Sequence, residues 1–392
     1  MDPRRNPYAP GAGTPPPELA GRDDLIERAA IALDRIRAGR SARSLILYGL
    51  RGVGKTVLLN RIRLEAEARG FASVRIEAPE ERSLPALLAP ALRTTLLKLN
   101  RGEAAKAGVK KALGALASFA KVLKVKYEDI EIGLDYEPEP GVADSGDFDT
   151  DLAELLAAVG AAAAERQTAV VLFIDELQYV PEAQLASLIS ALHSASQSQL
   201  PITLVAAGLP QLLAQMGLAK SYAERLFEFA PIDRLDETAA REALVVPAEH
   251  EGAAYETAAV AEILRQTLGY PYFLQEWGKH SWNVAEASPI QASDAEVATV
   301  QALAELDASF FRVRFDRLTP TEKRYMRAMA ELGPGPHRSG DVADVLGRKV
   351  TTVAPIRNTL IAKGMLYSPG HGDTAFTVPL FDGFMKRIMP AL

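Results

Sequence analysis

The sequence predicts an α/β fold with a mostly parallel sheet, followed by an α-helical lid and a C-terminal winged helix-turn-helix. Three observations predict it. Short apolar segments alternate with helical patterns up to about residue 235, which is typical of a parallel sheet. Beyond that point the strand pattern stops and helical patterns follow. The last 80 or so residues combine helices with one late hairpin, the order of a winged helix-turn-helix.

The strands of the sheet are predicted from short apolar runs. The clearest run, 169–174, is apolar without alternation, as expected for a strand buried on both faces of a parallel sheet. The five predicted strands are 44–48, 72–76, 169–174, 202–206 and 226–232.

The pattern divides the chain into an extended N-terminal arm, a core, a lid and a tail. These parts are residues 1–18, 19–235, 236–308 and 309–392. The arm is rich in proline and glycine, which disfavour a helix. The core holds an insertion at about 84–150, predicted to be helical to residue 125, a strand or hairpin over 126–136, and then an acidic linker.

Composition excludes several classes of function. The chain has 392 residues, of which 48% are hydrophobic and 24% charged, as in soluble globular proteins. It has no cysteine, so disulfides, thiolate metal sites and a cysteine nucleophile are excluded. No apolar run reaches the ~18 residues of a membrane span, and no apolar stretch follows the arginines near the N-terminus as in a signal peptide. We therefore expect a cytoplasmic protein with no membrane partner.

The charge is divided unevenly. The net charge is −6, but residues 311–392 hold 13 Lys and Arg against 7 Asp and Glu, a balance of +6. The remainder therefore carries −12. A basic module on an acidic body indicates an anion-binding tail.

A phosphate-binding motif follows the first strand. The segment from Gly49 to Thr56 fits G-x-x-x-x-G-K-[ST], with a strand before it and a helix after it. Glycines allow backbone N–H groups to approach phosphate oxygens, and the helix N-terminus adds positive charge. We expect Lys55 to neutralise the β and γ phosphates of ATP and Thr56 to ligate Mg²⁺. The predicted nucleotide-binding residues here are Gly49, Gly52, Val53, Gly54, Lys55, Thr56 and Val57.

A carboxylate pair ends the strand at 169–174. Asp175 follows directly, and a buried carboxylate is costly unless a cation binds it. We expect Asp175 to be the second Mg²⁺ ligand and Glu176 to polarise the attacking water. Glu176 could also be a solvated residue that starts the next segment. Gln178 and Tyr179, just beyond, are predicted either to sense the nucleotide or to pack.

These segments resemble the AAA+ ATPases. The resemblance covers residues 18–390 and is nearest to the origin-recognition-like and archaeal-type ATPases that carry a C-terminal winged helix. The layout is also similar to bacterial ATP-binding proteins of unassigned role. The resemblance implies that the segment with Leu19 and Arg22 lies near adenine. It implies a sensor 1 polar residue after strand 202–206, but the run there is Ala206-Ala207-Gly208, which argues against efficient hydrolysis.

Two further segments carry implied roles. Arg225, just before the last strand, holds the place of the family's arginine finger, which would complete the site of a neighbouring subunit in a homo-oligomer. It could instead pair with a nearby acid. Gly269–Phe273 resembles the Gly-x-Pro lid motif of STAND-type signalling ATPases, which would place Pro271 near the nucleotide. Pro271 could equally be only a helix start.

The basic tail has the outline of a DNA-binding module. Thr319–Glu322 is a capping box, and a turn and a candidate recognition helix precede a hairpin at 366–378. Pro355 would fit the first helical turn if Thr351 or Thr352 were the N-cap. The residues predicted to contact double-stranded DNA are Arg348, Lys349, Thr352, Arg357 and Lys363.

Two functions remain open from the sequence. One is an ATP-driven switch that binds DNA. The features that favour it are Glu176, Arg225 and the basic tail. The other is a signalling or scaffold protein that binds ATP, hydrolyses it slowly or not at all, and uses its winged helix to contact protein. The altered sensor 1 and the lid proline favour the second.

Overall fold

A computed structural model describes residues 1–11, 13–80, 82–100, 107–124, 136–370 and 372–391. The chain forms two compact units. We call the one made of residues 23–48 and 55–231 the sheet unit, and the one made of 1–22, 49–54 and 232–392 the helical unit. The division into arm, core, lid and tail stays a prediction.

The sheet unit is built on five parallel strands, which confirms the predicted α/β class. Their spatial order is β2-β3-β4-β1-β5. The strands β3 and β4 are buried along their whole length, as expected from their unbroken apolar runs. The strands are β1 (Ser44–Tyr48), β2 (Ala72–Glu77), β3 (Val170–Asp175), β4 (Ile202–Gly208) and β5 (Phe227–Pro231).

Helices cover the faces of this sheet unit. A short 3₁₀ turn, Leu177–Tyr179, follows β3. The helices are α1 (Asp23–Arg37), α2 (Lys55–Ala68), α3 (Leu84–Leu99), α4 (Ala107–Leu123), α5 (Phe148–Glu165), α6 (Glu182–Gln197), α7 (Leu212–Ala219) and α8 (Ala223–Leu226).

The insertion differs from its prediction. The stretch expected to be helical from 84 to 125 contains two helices, α3 and α4. The strand or hairpin expected at 126–136 lies outside the described residues, apart from Tyr136. Helix α5 begins four residues before its expected start at 152, because the Asp147 side chain accepts the Thr150 N–H at 2.9 Å and caps it.

The helical unit holds the remaining helices and a small antiparallel sheet of order β6-β8-β7. The strands are β6 (His337–Arg338), β7 (Leu366–Tyr367) and β8 (Asp373–Phe376). The helices are α9 (Glu237–His250), α10 (Thr257–Thr267), α11 (Pro271–Val284), α12 (Ala292–Ala308), α13 (Arg312–Asp316), α14 (Pro320–Leu332), α15 (Ser339–Val345), α16 (Val350–Ala362) and α17 (Phe381–Ile388).

Helix α16 starts earlier than expected. Its N-cap is Lys349, so the prediction of an N-cap at Thr351 or Thr352 is wrong. Pro355 therefore lies inside the helix, at its sixth position. The capping box of α14 is confirmed, with Thr319 and Glu322 bonding reciprocally.

The N-terminal arm packs within the helical unit. It contains one 3₁₀ turn, Pro3–Arg5, and is otherwise without regular structure where described. Tyr8 is 4% exposed and donates its hydroxyl hydrogen to the carbonyl of Leu244. Its ring lies so close to Gly278 that a Cβ there would come within 2.6 Å of it. None of the helices in the described part of the chain has the length and apolar character needed to cross a bilayer.

Candidate functional site

Two side chains from the predicted motifs meet at the carboxyl edge of the sheet. Thr56, in the first turn of α2, donates its hydroxyl hydrogen to Asp175 Oδ2 at 2.6 Å. Asp175 is the last residue of β3 and is 8% exposed, as is Lys55 at the start of α2. In the strand order, β4 lies between β3, which ends in Asp175, and β1, which precedes the phosphate motif and α2. A hydroxyl and a carboxylate are thus held together in a largely buried position.

The electrostatic environment of Asp175 favours a cation. Burial raises the pKa of this carboxyl, although the Thr56 hydroxyl and the Lys55 charge act in the opposite direction. Hydroxyl and carboxylate oxygens are hard ligands of the kind that Mg²⁺ prefers. The residues present therefore fit a magnesium ion.

Glu176 is held in an unusual conformation. Its φ of 54° lies in the left-handed region that non-glycine residues adopt at a cost of about 1 kcal/mol or more. Its backbone N–H donates to Asp175 Oδ1 at 2.9 Å, and its carboxylate accepts a hydrogen bond from the Gln178 amide. This second contact was not specified by the sequence, although Gln178 was singled out there.

Residues 49–54 of the phosphate motif belong to the helical unit and are fixed there by backbone contacts. The Tyr272 N–H donates to the Gly52 carbonyl at 3.1 Å, and the Arg51 N–H donates to the Thr377 carbonyl at 2.9 Å. Gly52 and Gly54 have φ values of 82° and 90°, which L-residues with a side chain rarely adopt. The loop therefore takes the shape that its glycines permit, and nothing in the sequence pointed to the Thr377 contact.

Close approach explains the first glycine of the motif. A Cβ at Gly49 would lie 1.9 Å from the carbonyl oxygen of Ile232. No side chain larger than hydrogen fits there without a shift of the backbone.

Arg22, which the resemblance placed near adenine, contacts the same loop. Its guanidinium donates to the Asp233 carbonyl at 2.5 Å and to the Val53 carbonyl at 3.4 Å. Burial lowers the pKa of Arg22, and the charges of Asp233 and Asp236 oppose this effect. Arg22 is thus committed at least partly to holding the loop.

The other predicted nucleotide residues occupy varied positions. Pro271 is the first residue of α11 and directly precedes Tyr272, so it lies next to a residue that contacts the loop. Val53 is buried, whereas Leu19 and Val57 are half-buried.

Arg225 lies at the opposite edge of the sheet from Thr56 and Asp175. It sits in the short helix α8, just before β5, and Phe227 of β5 pairs in parallel with Ser44 at the start of β1. It is exposed and lines a cleft of about 540 Å³ together with His193 and Tyr222. Within the sheet unit, Arg225 therefore lies apart from Thr56 and Asp175.

The predicted DNA-contacting residues fall into two groups. Arg348, Lys349 and Thr352 are exposed around the start of α16. Arg357 instead bonds to the hairpin of β7 and β8, donating to Thr374 Oγ1 at 2.6 Å.

Lys363 is also committed within the chain. Its ammonium donates to Glu322 Oε2 at 2.8 Å.

Two family models match the sequence. The AAA ATPase domain matches residues 18–205, and a Domain of unknown function (DUF8462) matches residues 308–385. No curated protein matches the chain.

Several solved structures are similar to this one. The Walker-type ATPase PABY2304 of Pyrococcus abyssi is 14% identical, with 95% of this chain and 97% of that chain covered and a TM-score of 0.61. Orc1 of Aeropyrum pernix in complex with DNA is 14% identical over 95% and 94%, with a TM-score of 0.48. The RuvB Holliday junction branch migration motor of Thermotoga maritima is 17% identical over 91% and 92%, with a TM-score of 0.45.

Of these three likenesses, the first shows a shared fold, and at this identity it shows the fold alone. The family match adds the domain that holds both nucleotide motifs, Gly49–Thr56 and the strand that ends at Asp175. Residues 18–205 therefore match the AAA ATPase domain family, and the sheet unit that holds most of them is an α/β fold with a five-stranded parallel sheet.

Proposed function

We propose that this ATPase is an ATP-dependent switch that binds double-stranded DNA through a winged helix at residues 309–392. The observation that carries the switch is the hydrogen bond from the Arg51 N–H, inside the phosphate loop, to the carbonyl of Thr377. Thr377 directly follows β8 in the same small sheet that Arg357 contacts. A change in the loop on binding ATP would thus be felt by the C-terminal elements.

The phosphate loop binds the triphosphate of ATP. The backbone N–H groups of Gly52, Val53 and Gly54 approach its oxygens, and Lys55 neutralises the β and γ phosphates. Thr56 and Asp175 would hold a magnesium ion, which would supply positive charge to neutralise the phosphates. Leu19 and Pro271 are proposed to contact the base, and Arg22 positions the loop.

Hydrolysis relies on a carboxylate and on a second subunit. Glu176 orients the attacking water and accepts its proton. Arg225 lies at the far edge of the sheet in its own chain, so it serves the site of a neighbouring copy in a homo-oligomer. An arginine delivered in this way stabilises negative charge in the transition state.

The DNA surface centres on the start of α16. Arg348, Lys349 and Thr352 are exposed there, beside the N-terminus of a 13-residue helix, where backbone N–H groups also attract phosphate. The order from α14 to β8 matches a winged helix-turn-helix, with α16 as recognition helix and the β7–β8 hairpin as wing.

A second function rests on the commitments of two basic residues. Arg357 is bound to the hairpin, and Lys363 is bound to Glu322, so two of the four cations proposed for DNA serve the module itself. Together with the apolar end of β4, this favours a STAND-like scaffold that binds ATP, hydrolyses it slowly or not at all, and contacts protein through the same module.

The test is ATP turnover by the full chain with and without duplex DNA. We expect turnover in the wild type, and a loss of about 10²-fold or more in Glu176→Gln with ATP affinity kept. Glu182→Gln, the same change at the exposed start of α6, is the control and should leave turnover unchanged.

The same samples test the switch. If ATP changes DNA affinity by some factor, DNA must change ATP affinity by that factor. Wild-type turnover that stays at background with DNA present would reject hydrolysis, and DNA affinity that ignores ATP would reject the switch. ATP binding without either effect would establish the scaffold.

A further inference from the structure

The end of β4 occupies the centre of the candidate site yet offers no polar side chain. Its last residues are Ala206, Ala207 and Gly208, and β4 lies between the strand that ends in Asp175 and the strand that leads to the phosphate loop. Ile174 pairs with Ala206, and Tyr48 pairs with Gly208. Any group placed over this strand end therefore lies between the ends of β3 and β1.

Gln178 supplies a polar group at this place. Its side-chain oxygen accepts the Leu209 N–H, one residue past β4, at 3.0 Å, and its amide nitrogen donates to Glu176 Oε2. Gln178 is 5% exposed. The Leu209 N–H can only donate, so it fixes which end of the Gln178 amide is the oxygen and leaves the NH₂ group facing Glu176.

The missing side chain of Gly208 makes room for this arrangement. A Cβ at Gly208 would lie 2.8 Å from Gln178 Oε1 and 2.7 Å from Leu212 Cδ2. The strand end is thus shaped to receive the glutamine amide.

Glu176 is fixed at both of its ends. Its backbone N–H is bonded to Asp175 Oδ1, and its carboxylate is bonded to Gln178. A free glutamate side chain loses rotamer entropy when it is held in one position. Gln178 lowers that cost at the moment of reaction because the carboxylate is already oriented.

We propose that Gln178 is a positioning residue that holds the Glu176 carboxylate toward the attacking water and ties it to the end of β4. This role rests on the proposed ATPase function. Gln178 lies in the 3₁₀ turn after β3 and supplies a polar contact that β4 itself does not provide.

The first test is the kinetics of Gln178→Leu and Gln178→Glu in the full chain. Leu removes both hydrogen bonds, whereas Glu keeps an acceptor for Leu209 and loses the donor to Glu176. Both variants should lower kcat by about 10- to 100-fold while the KM for ATP changes less than about threefold. An equal loss in both variants would assign the effect to the Glu176 contact.

The matched control is Gln184→Leu. Gln184 is also buried, and its side-chain oxygen accepts the backbone N–H of Leu84 at 2.7 Å. This variant should lower thermal stability and leave kcat unchanged, because Gln184 makes this contact away from Glu176.

The second test is a double-mutant cycle with Gly208→Ala. The added methyl group should displace the Gln178 amide and lower kcat in the wild-type background, but lower it little further in Gln178→Leu. Additive losses would overturn the proposal. So would a Gln178→Leu variant with wild-type kcat, or one that loses turnover only by losing ATP binding.

The failure of the proposed function is distinguishable from these outcomes. If the wild type itself does not hydrolyse ATP, the ATPase proposal falls, and the positioning role falls with it. If the wild type hydrolyses ATP and Gln178→Leu matches it, only the positioning role falls.

Discussion

At the residue scale, a buried carboxylate on α11 carries a charge that is only partly compensated. Glu276 is 4% exposed, and its Oε2 atom accepts no hydrogen bond among the described residues. The Tyr272 hydroxyl donates to its other oxygen at 3.2 Å. The ammonium of Lys279 lies 3.6 Å from Oε2 but only 2.6 Å from Glu305, so it mainly serves Glu305. Burial accordingly raises the pKa of Glu276, and Lys279 only partly offsets this.

Glu276→Gln should therefore stabilise the protein at neutral pH. Because the folded-state pKa is raised, the folded chain keeps a proton that the unfolded chain has released, and stability falls as pH rises from the ordinary value of 4.5 through the raised one. We expect the variant to gain about 1 kcal/mol at pH 7, the low end of the cost of an unsatisfied buried polar group, and to lose this gain near pH 4. Denaturant unfolding at several pH values measures it.

Glu305→Gln is the control, for which we expect a change in stability of the opposite sign. The hydrogen bond from Lys279 lowers the pKa of Glu305, so its contribution to stability is present above the ordinary pKa and is lost as pH falls through the lowered one. This variant should be slightly less stable than the wild type at neutral pH. A Glu276→Gln variant that is also less stable there would contradict our account of the cluster.

At the element scale, helix α16 tolerates a proline that the sequence placed in its first turn. The helix begins at Val350, so Pro355 leaves the carbonyl of Thr351 without its usual intrahelical donor. Only the first four N–H groups of a helix lack intrahelical partners, and Pro355 at the sixth position lies beyond them. The helix still forms because Val353 and Leu360 are fully buried and Arg357 bonds to the hairpin.

Pro355→Ala should strengthen this helix. The substitution restores a backbone N–H donor and introduces alanine, the best helix former. The free energy of unfolding should rise by at most about 3 kcal/mol. Amide exchange of residues 356–362 in the full chain should slow. Pro320→Ala is the control. Pro320 is the first residue of α14, where a backbone N–H has no intrahelical partner, so alanine there restores no hydrogen bond. Faster exchange in Pro355→Ala would show that the proline's restricted φ stabilises the helix more than the lost bond weakens it.

The strands of the sheet and the N-terminal arm show how much of the structure could be predicted from the sequence. The strands of the sheet and the motifs that end them were found because unbroken apolar runs and a glycine-rich loop are local signals. The contact of Gln178 with Leu209 was not, since it depends on β4 lying next to β3. The packing of Tyr8 on Gly278 likewise joins residues that no local pattern relates.

At the scale of the whole molecule, the structure shows which elements carry the unevenly distributed charge. The basic excess of +6 within residues 311–392 coincides with the small C-terminal sheet and its helices, while the remaining −12 includes the acidic carboxylates of the nucleotide motifs. One charge of that excess is paired with an acid outside the range, as Arg387 pairs with Asp307. Lys363 pairs with Glu322, which the balance of +6 already includes. Arg348 and Lys349 are exposed at the start of α16.

Duplex binding by the full chain should therefore depend on salt through those cations. Each phosphate neutralised contributes about 0.9 to the slope of log affinity against log salt. We expect the paired substitution of Arg348 and Lys349 by Gln to weaken binding and reduce that slope by about 2. Binding isotherms at several salt concentrations measure both quantities.

The control changes the same charge elsewhere. Lys110 and Lys111 are exposed on α4 in the sheet unit, so replacing both by Gln alters the net charge equally. If the basic surface reads DNA, this second pair should leave the slope unchanged, because the steep salt dependence comes from cations in contact with phosphate. Equal effects from the two pairs would show that the attraction depends only on the overall charge. Binding that does not change with salt concentration would indicate that the module contacts a protein partner instead.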